Sequence, residues 1–341
     1  MMESPTVINK LIYYRLIALW VICEAFIGGI IHGMKIPVSG LLVGSCAVLI
    51  ICQLAFHVPI KGAIIKATII VTVFKLMLSP QSPPAAYIAV LFQGFVGELL
   101  FSNKKFFRAS CILLGFLALF ESAVQRIIVL MIVYGNDFWH AVNEFIRRLF
   151  NETVLSNYSL YLAIGYIILH SIVGIFVGWF AGMLCIRSGK WQNINKEYIF
   201  ESIIPESEFS IDKKSETNPK LKTIFILCWI LLAILLLQPL FSKSNAIIPL
   251  HISLKIFLRS VFIILSWYLL ISPLLLGLMK KWLHKEESKL RKDILEILQI
   301  LPSTKFLLSK SWKYSASKTG IKRIVFFIKI VLMNTTQSAN E

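Results

Sequence analysis

The stretch VPIKGAIIKATIIVTVFKLMLSPQSPPAAYIAVLFQGFVGELLF, Val58–Phe101, decides the fold class of this chain. Two apolar segments flank a loop of serine, glutamine and proline at 79–84, and the prolines cannot continue a helix. Each segment approaches the roughly 20 apolar residues that cross a membrane as a helix. The segments nevertheless carry four polar side chains, Lys66, Lys75, Gln93 and Glu98. Ionisable groups in a bilayer are costly unless they face a bundle interior or a wet cavity, so these positions are candidates for function.

The composition of the whole chain is that of a membrane protein. Of its 341 residues, 57% are hydrophobic and only 16% are charged, which excludes an ordinary soluble domain. The net charge of +17 indicates basic cytoplasmic loops, and the absence of a basic module with interleaved aromatic residues argues against nucleic-acid binding. The six cysteines lie in apolar segments without close spacing, so we predict no disulfide, no metal site and no cofactor.

Eight segments are apolar and long enough to predict membrane-spanning helices. They lie at about 11–33, 39–57, 61–78, 85–101, 107–134, 157–186, 222–241 and 252–279. The predicted fold class is an all-α, polytopic integral membrane protein. It has four parts: a six-helix membrane domain at 1–186, a cytoplasmic linker at 187–221, a two-helix membrane hairpin at 222–279 and a basic amphipathic cytoplasmic tail at 280–341.

The basic residues of the short loops predict the orientation in the membrane. They follow the fourth, sixth and eighth predicted helices, at Lys104, Lys105, Arg108, Arg187, Lys190, Lys280, Lys281 and Lys285. Since cytoplasmic loops are rich in Lys and Arg, this side is predicted to be cytoplasmic, together with both termini. The loop at 79–84 then lies outside. So does a short amphipathic helix at 138–149, which acts either as an interfacial anchor or as a cap over a binding site.

The tail from Lys280 carries 13 Lys and Arg residues against 5 Asp and Glu residues. An apolar stripe of Leu290, Ile294, Ile297 and Leu301 predicts an amphipathic helix that ends at Pro302. A second apolar segment with basic interruptions begins at Ile321 and is too short to span a membrane comfortably. Such a tail lies on anionic lipid or docks a cytosolic partner, and the composition does not separate the two.

Several polar side chains share the central-to-outer half of the predicted bundle. They are Glu24, His32, Lys75, Glu121, Gln125, Arg126 and His170. These residues come from different helices, so they predict a polar ligand-binding pocket that opens to the outside. The alternative is structural pairing, of Lys75 with Glu121 near the outside and of Lys66 with Glu98 nearer the cytoplasm. We predict that Lys66 and Glu98 form a structural pair.

Two rows of small residues recur every four positions, which allows helices to approach closely. Ala25, Gly29 and Gly33 form the first row, and Gly174, Gly178 and Gly182 form the second. Each row serves either packing within the chain or contact with another membrane subunit. Enzyme signatures such as GxGxxG, Walker A, HExxH and GxSxG are absent from the sequence, so an enzyme is the less favoured class.

Residues 1–186 resemble the substrate-binding S components of energy-coupling factor (ECF) transporters. The resemblance lies in six helices with cytoplasmic termini, short third and fourth helices, the loop at 79–84, and the runs QGFVGELLF (93–101) and IPVSGLLVG (36–44). The first small-residue row is similar to the row by which S components meet their coupling subunit. The resemblance implies a bacterial inner-membrane protein that captures a small ligand from outside, with a membrane coupling subunit and cytosolic ATPases as partners. The second half of the chain departs from this pattern.

Three functions remain open from the sequence. The first is a membrane substrate-binding or transport subunit for a small polar or anionic ligand, embedded in a lipid bilayer. The second is a non-catalytic membrane subunit that scaffolds a larger complex. The third is a membrane-embedded lipid-modifying enzyme.

Overall fold

The computed structural model describes residues 5–29, 38–79, 82–102, 106–150, 157–194, 198–200 and 289–337, with single positions at 254 and 277. Its regular elements in these ranges are all helical. They are α1 (Pro5–Val21), which continues into a π-helical turn (Ile22–Ile27), α2 (Ser39–His57), α3 (Ala63–Leu78), α4 (Pro84–Phe101), α5 (Phe107–Tyr134), α6 (Asn136–Leu149), α7 (Tyr158–Ile194), α8 (Lys289–Tyr314), a short 3₁₀ turn (Ser315–Ser317) and α9 (Gly320–Thr335). The all-α prediction is confirmed for these residues.

Four described helices are long and apolar enough to cross a membrane. They are Ser39–His57, Pro84–Phe101, Phe107–Tyr134 and Tyr158–Ser188, the last being most of α7. The α-helical part of α1 has 17 residues and α3 has 16, so each is shorter than these four. The predicted spans at 222–241 and 252–279 lie outside the described residues, apart from the single positions 254 and 277. Of the predicted linker at 187–221, the structure describes 187–194, which continue α7, and 198–200. The membrane character of the chain therefore stands, while the total of eight spans stays a prediction.

The chain divides into two compact units. The first comprises Met1–Ala123, Ile168–Ile204 and Leu276–Glu341, and the second comprises Val124–Ile167 and Pro205–Leu275. In the first unit α1 is the central helix, because it packs against α2, α3 and α8. Leu16, Ile17, Trp20 and Val21 of α1 are fully buried. The apolar second half of α1 is therefore covered by neighbouring helices of its own chain.

The stretch 58–101 forms two neighbouring helices, as predicted, and local sequence features explain where each helix begins. Pro84 occupies the first turn of α4, where its missing N–H costs nothing. Gly62 precedes α3 with φ of +80°, a conformation that glycine adopts without strain. The carboxylate of Glu98 accepts hydrogen bonds from the amides of Gly62 at 2.6 Å and Ile64 at 3.2 Å. Glu98 thus satisfies free N–H groups at the start of α3, where the helix dipole favours a negative charge.

Helices α5 and α7 cross at close range in the first unit, because glycines remove the side chains between them. A Cβ atom on Gly178 would overlap the carbonyl oxygen of Cys111 and lie 2.7 Å from the Cα of Ile112. A Cβ on Gly115 would lie 2.8 Å from the backbone nitrogen of Gly178. The second small-residue row therefore serves packing within the chain.

The tail forms two helices that dock on the first unit. The predicted stripe is buried at Ile294 and Ile297, and α8 packs against α1. The prediction that the tail helix ends at Pro302 is wrong, because α8 continues to Tyr314. A proline removes one backbone hydrogen bond from a helix. The hydroxyls of Ser303 and Thr304 both donate to the carbonyl of Ile300 beside this break, and tertiary contacts hold the helix together.

The second unit contains the amphipathic helix predicted at 138–149. It forms as α6 and begins after Gly135, whose φ is +72°. Glu144 accepts a hydrogen bond from Arg147 at 3.1 Å and another from Arg148 at 3.2 Å. Asn143 is buried and accepts a bond from the amide of Ser159 at 2.7 Å, which ties α6 to the start of α7. Its role as an anchor or a cap stays a prediction.

Candidate functional site

An ion pair lies inside the first unit between α3 and the π-helical turn that follows α1. The Nζ atom of Lys75 is 2.7 Å from Oε2 of Glu24, and the two side chains are 1% and 2% exposed. Lys75 also donates to the carbonyl of Ala86 at 3.1 Å. Removing one member of a buried pair costs about 3–5 kcal/mol, because the other charge is left without compensation.

The π-helical turn sets the direction of the Glu24 side chain. The amide of Gly28 bonds to the carbonyl of Cys23, five residues earlier, instead of the four of an α-helix. This wider turn inserts one residue into the helical repeat and so changes which side chains face the bundle. π-Helical turns are rare and occur frequently at functional sites.

The described residues of the loop at 79–84 are linked to Lys75 through Tyr87. Tyr87 donates its hydroxyl hydrogen to the carbonyl of Ser79 at 2.9 Å, and the hydroxyls of Ser79 and Ser82 lie 2.8 Å apart. The Lys75 ammonium is 5.8 Å from the centre of the Tyr87 ring, within the range of a cation–π contact. Lys75 also lies in the last turn of α3, where the helix dipole favours a positive charge. Ser79, Ser82, Tyr87 and the Glu24–Lys75 pair form one connected polar cluster.

Further polar groups of the first unit lie on α2 and α4. The thiols of Cys23 and Cys46 lie next to each other, which brings α2 close to Glu24. Gly44, two residues before Cys46, would place a Cβ 3.4 Å from the Nε2 atom of Gln93. Gln93 is 3% exposed, and its Oε1 atom has no hydrogen-bond partner among the described residues. A buried polar atom without a partner indicates a place for a water or a ligand.

The other predicted pocket residues are distributed between the two units. Glu121 lies on the first unit's part of α5 and has a buried Oε2 atom without a hydrogen-bond partner among the described residues. Gln125 and Arg126 belong to the second unit and are partly buried. His170 is fully buried in the first unit, and His32 lies outside the described residues. Of the predicted set, the structure brings Glu24 and Lys75 into contact.

The predicted pairing of Lys66 with Glu98 and the alternative pairing of Lys75 with Glu121 both need correction. Lys75 pairs with Glu24 and not with Glu121. Lys66 pairs with Asp293 of α8 at 2.6 Å and not with Glu98, which is engaged by the start of α3. The reason is the same in both cases: depth along a helix is readable from sequence, but the direction in which a side chain points is not.

The first small-residue row is predicted to contact another subunit, and that contact stays a prediction. Ala25 and Gly29 are buried among the chain's own helices, which favours the alternative of packing within the chain. Gly33 lies outside the described residues.

Sequence reasoning missed several residues of this arrangement. The Cys23–Cys46 contact left no signal in the residue spacing. Asp293, in contrast, could have been found from the sequence. It lies next to Ile294 of the apolar stripe, and an acidic residue beside a buried stripe predicts a buried partner for its charge. Tyr14 and Lys66 are those partners.

Comparison with family models, curated proteins and solved structures finds no match to this chain.

Proposed function

We propose that this chain is a membrane subunit that binds a small polar or anionic ligand in a transport system. The observation that carries the proposal is the buried Glu24–Lys75 pair. A buried ion pair adds little net stability compared with apolar residues of similar volume. Its presence at a π-helical turn supports a role in binding. The buried oxygen of Gln93, without a partner among the described residues, lies on the same unit, about two turns along α4 from Ala86.

The chemistry of the pair defines what the ligand must offer. An acidic group of the ligand replaces the Glu24 carboxylate as the partner of Lys75. Glu24 then accepts a hydrogen bond from a donor on the same ligand, while Gln93 supplies a further acceptor. The ligand enters from the side of the loop at 79–84, which the sequence predicts to be external. Transport from there requires a coupling subunit and cytosolic ATPases, as in the ECF transporters that residues 1–186 resemble.

A second candidate function is a non-catalytic scaffold in a larger membrane complex. The observation that favours it is that Lys75 already has two acceptors in its own chain, the Glu24 carboxylate and the Ala86 carbonyl. In this case the pair serves only to orient α1 and α3.

A double variant separates the two functions. Glu24→Leu together with Lys75→Met removes both charges, so neither is left uncompensated and the fold is retained. The matched control is Lys10→Met with Glu296→Leu, which removes an exposed pair of opposite charges at 3.2 Å. Thermal unfolding of the detergent-purified full chain is measured with a panel of water-soluble carboxylates, phosphate esters and zwitterions. Binding predicts that at least one compound stabilises the wild type and the control but not the Glu24/Lys75 variant.

The scaffold function predicts that no compound distinguishes the variants. Small molecules and proteins that co-purify with the tagged chain are identified by mass spectrometry in the same preparations. Recovery of ATPase subunits supports a transport system. A panel without effect, together with no co-purified small molecule, contradicts the binding proposal.

A further inference from the structure

A groove of about 320 Å³ lies between α5 and α7, at the end of the first unit away from the Glu24–Lys75 pair. Two guanidinium groups line it, Arg108 from the first turn of α5 and Arg187 from the last part of α7. Both side chains are exposed, and neither forms a hydrogen bond or ion pair with a described residue. Two guanidinium groups beside one groove repel each other unless an anion lies between them.

The spacing along each helix makes the groove two-sided. Trp179, Met183 and Arg187 recur every four residues and so share one face of α7, and Arg108 and Ile112 do the same on α5. Gly182 forms the floor, since a Cβ there would lie 3.5 Å from the Cβ of Cys111 and 3.8 Å from the Cα of Arg108. The close crossing of α5 and α7 therefore fixes the distance between the two arginine-bearing faces.

Polarity changes along the groove in one direction. From Arg187 to Trp179 the helix rises about 12 Å. Over this length the lining passes from charged to apolar, at Ile186, Met183 and finally Trp179, which is 56% exposed. This part of α7 belongs to a span that is apolar enough to cross a membrane and is mostly unburied in the chain. The surface beside the groove is thus one that faces acyl chains.

We propose that this groove binds an anionic phospholipid, with the phosphate between Arg108 and Arg187 and an acyl chain along Ile112, Met183 and Trp179. Guanidinium groups bind phosphate through paired hydrogen bonds. Basic pockets between spanning helices are suited to anionic headgroups. A soluble phosphate would engage the two arginines but would leave the apolar part of the groove empty.

The test measures lipid retention by native mass spectrometry of the full chain in detergent. Wild type, Arg108→Gln/Arg187→Gln and the charge-matched control Lys318→Gln/Lys322→Gln are incubated with phosphatidylglycerol, phosphatidylcholine or inorganic phosphate. We expect the wild type and the control to retain phosphatidylglycerol, and the arginine variant to retain it about tenfold less. Equal retention of phosphatidylcholine, or equal loss in the lysine control, overturns the proposal. Retention of inorganic phosphate in place of lipid identifies a soluble anion and also overturns it.

A second measurement needs no arginine variant and so does not depend on its folding. Phosphatidylglycerol with brominated acyl chains quenches tryptophan fluorescence at contact. The difference between wild type and Trp179→Phe isolates the signal of Trp179. Quenching of that signal at lower concentrations of brominated phosphatidylglycerol than of brominated phosphatidylcholine supports the site, and identical curves contradict it.

Discussion

The phenol of Tyr14 donates a hydrogen bond to the carboxylate of Asp293, which lies 279 positions further along the chain. Asp293 also forms a salt bridge with Lys66, whose Nζ atom lies 2.6 Å from Oδ2 of the carboxylate. Only 8% of the Asp293 side chain is exposed. One carboxylate therefore joins the first helix, the third helix and the tail. The sequence predicts that the tail binds lipid or a partner protein. In the structure, part of the apolar face of the tail packs against helices of its own chain.

The substitution Asp293→Asn is expected to weaken this docking. The amide cannot neutralise Lys66, and it replaces charge-assisted hydrogen bonds with weaker neutral ones, at a cost of about 2 kcal/mol. We expect faster hydrogen exchange and easier proteolysis over 289–337, while α2 and α4 keep their protection. The control is Glu296→Gln, whose partner Lys10 is exposed, so the expected effect is below about 1 kcal/mol. Equal exchange in Asp293→Asn and wild type would show that the carboxylate does not hold the tail.

The buried pair predicts a non-additive pattern of stability. Lys75→Met alone strands the Glu24 carboxylate in the bundle and is expected to lower the free energy of unfolding by about 3–5 kcal/mol. Adding Glu24→Leu removes the stranded charge and is expected to restore most of the loss. Thermal unfolding in detergent of the two single variants and the double variant checks this. Additive losses would mean that the two side chains do not interact.

The exposed cluster on α6 predicts a dependence on pH. Hydrogen bonds from Arg147, and then from Arg148, hold the pKa of Glu144 below its ordinary value of 4.5. The stabilisation is therefore complete above that ordinary value and is lost as the pH falls through the lowered folded value. We expect the corrected hydrogen-exchange protection of 136–149 to be constant from about pH 7 to about pH 5 and to fall below about pH 4.5. In Arg147→Gln the protection should depend less on pH. If this variant shows the same dependence on pH as the wild type, the hydrogen bonds to Glu144 are not its cause.

The local elements of the fold could be predicted because their signals lie within short windows. Apolar length located α2, α4 and α5 closely, and amphipathic spacing located α6. Boundaries that depend on tertiary contacts were missed. α7 runs on to Ile194, and α8 passes through Pro302, where the packing of α8 on α1 outweighs the local effect of proline.

The candidate site could be predicted only in part. The sequence identified Glu24 and Lys75 as costly residues at similar depth, but Glu121 has a similar depth as well. What decides the pairing is the angular position of each side chain, and the π-helical turn changes it for Glu24 by one residue of helical repeat. No periodicity count reveals that turn. Partners separated by more than 200 residues, such as Lys66 and Asp293, are likewise set by the docking of the tail.

The predicted orientation can be tested with reporter fusions. The basic loops predict that fusions after residues 104, 190 and 290 report a cytoplasmic location, and that a fusion after residue 82 reports an external one. The Glu24–Lys75 pair would then lie towards the outside, and the Arg108–Arg187 groove would lie at the cytoplasmic leaflet. An external location at 190 would reverse the side from which a ligand enters.

The crossing of α5 and α7 predicts opposite effects for two glycines on the same helix. In Gly178→Ala the added methyl group would overlap the Cys111 carbonyl oxygen and lie 2.7 Å from the Cα of Ile112. Both obstacles are backbone atoms that cannot rotate away, so the helices must separate, at a cost of about 1–3 kcal/mol. In Gly165→Ala the methyl group meets nothing within 4 Å, and alanine raises helix stability by up to about 1 kcal/mol. Thermal unfolding of both variants in detergent measures the two effects, and a Gly178→Ala protein as stable as Gly165→Ala would mean that the close crossing is absent.

Because Gly182 also forms the floor of the arginine groove, the loss of the crossing in Gly178→Ala should weaken phosphatidylglycerol retention as well, whereas Gly165→Ala should leave it unchanged.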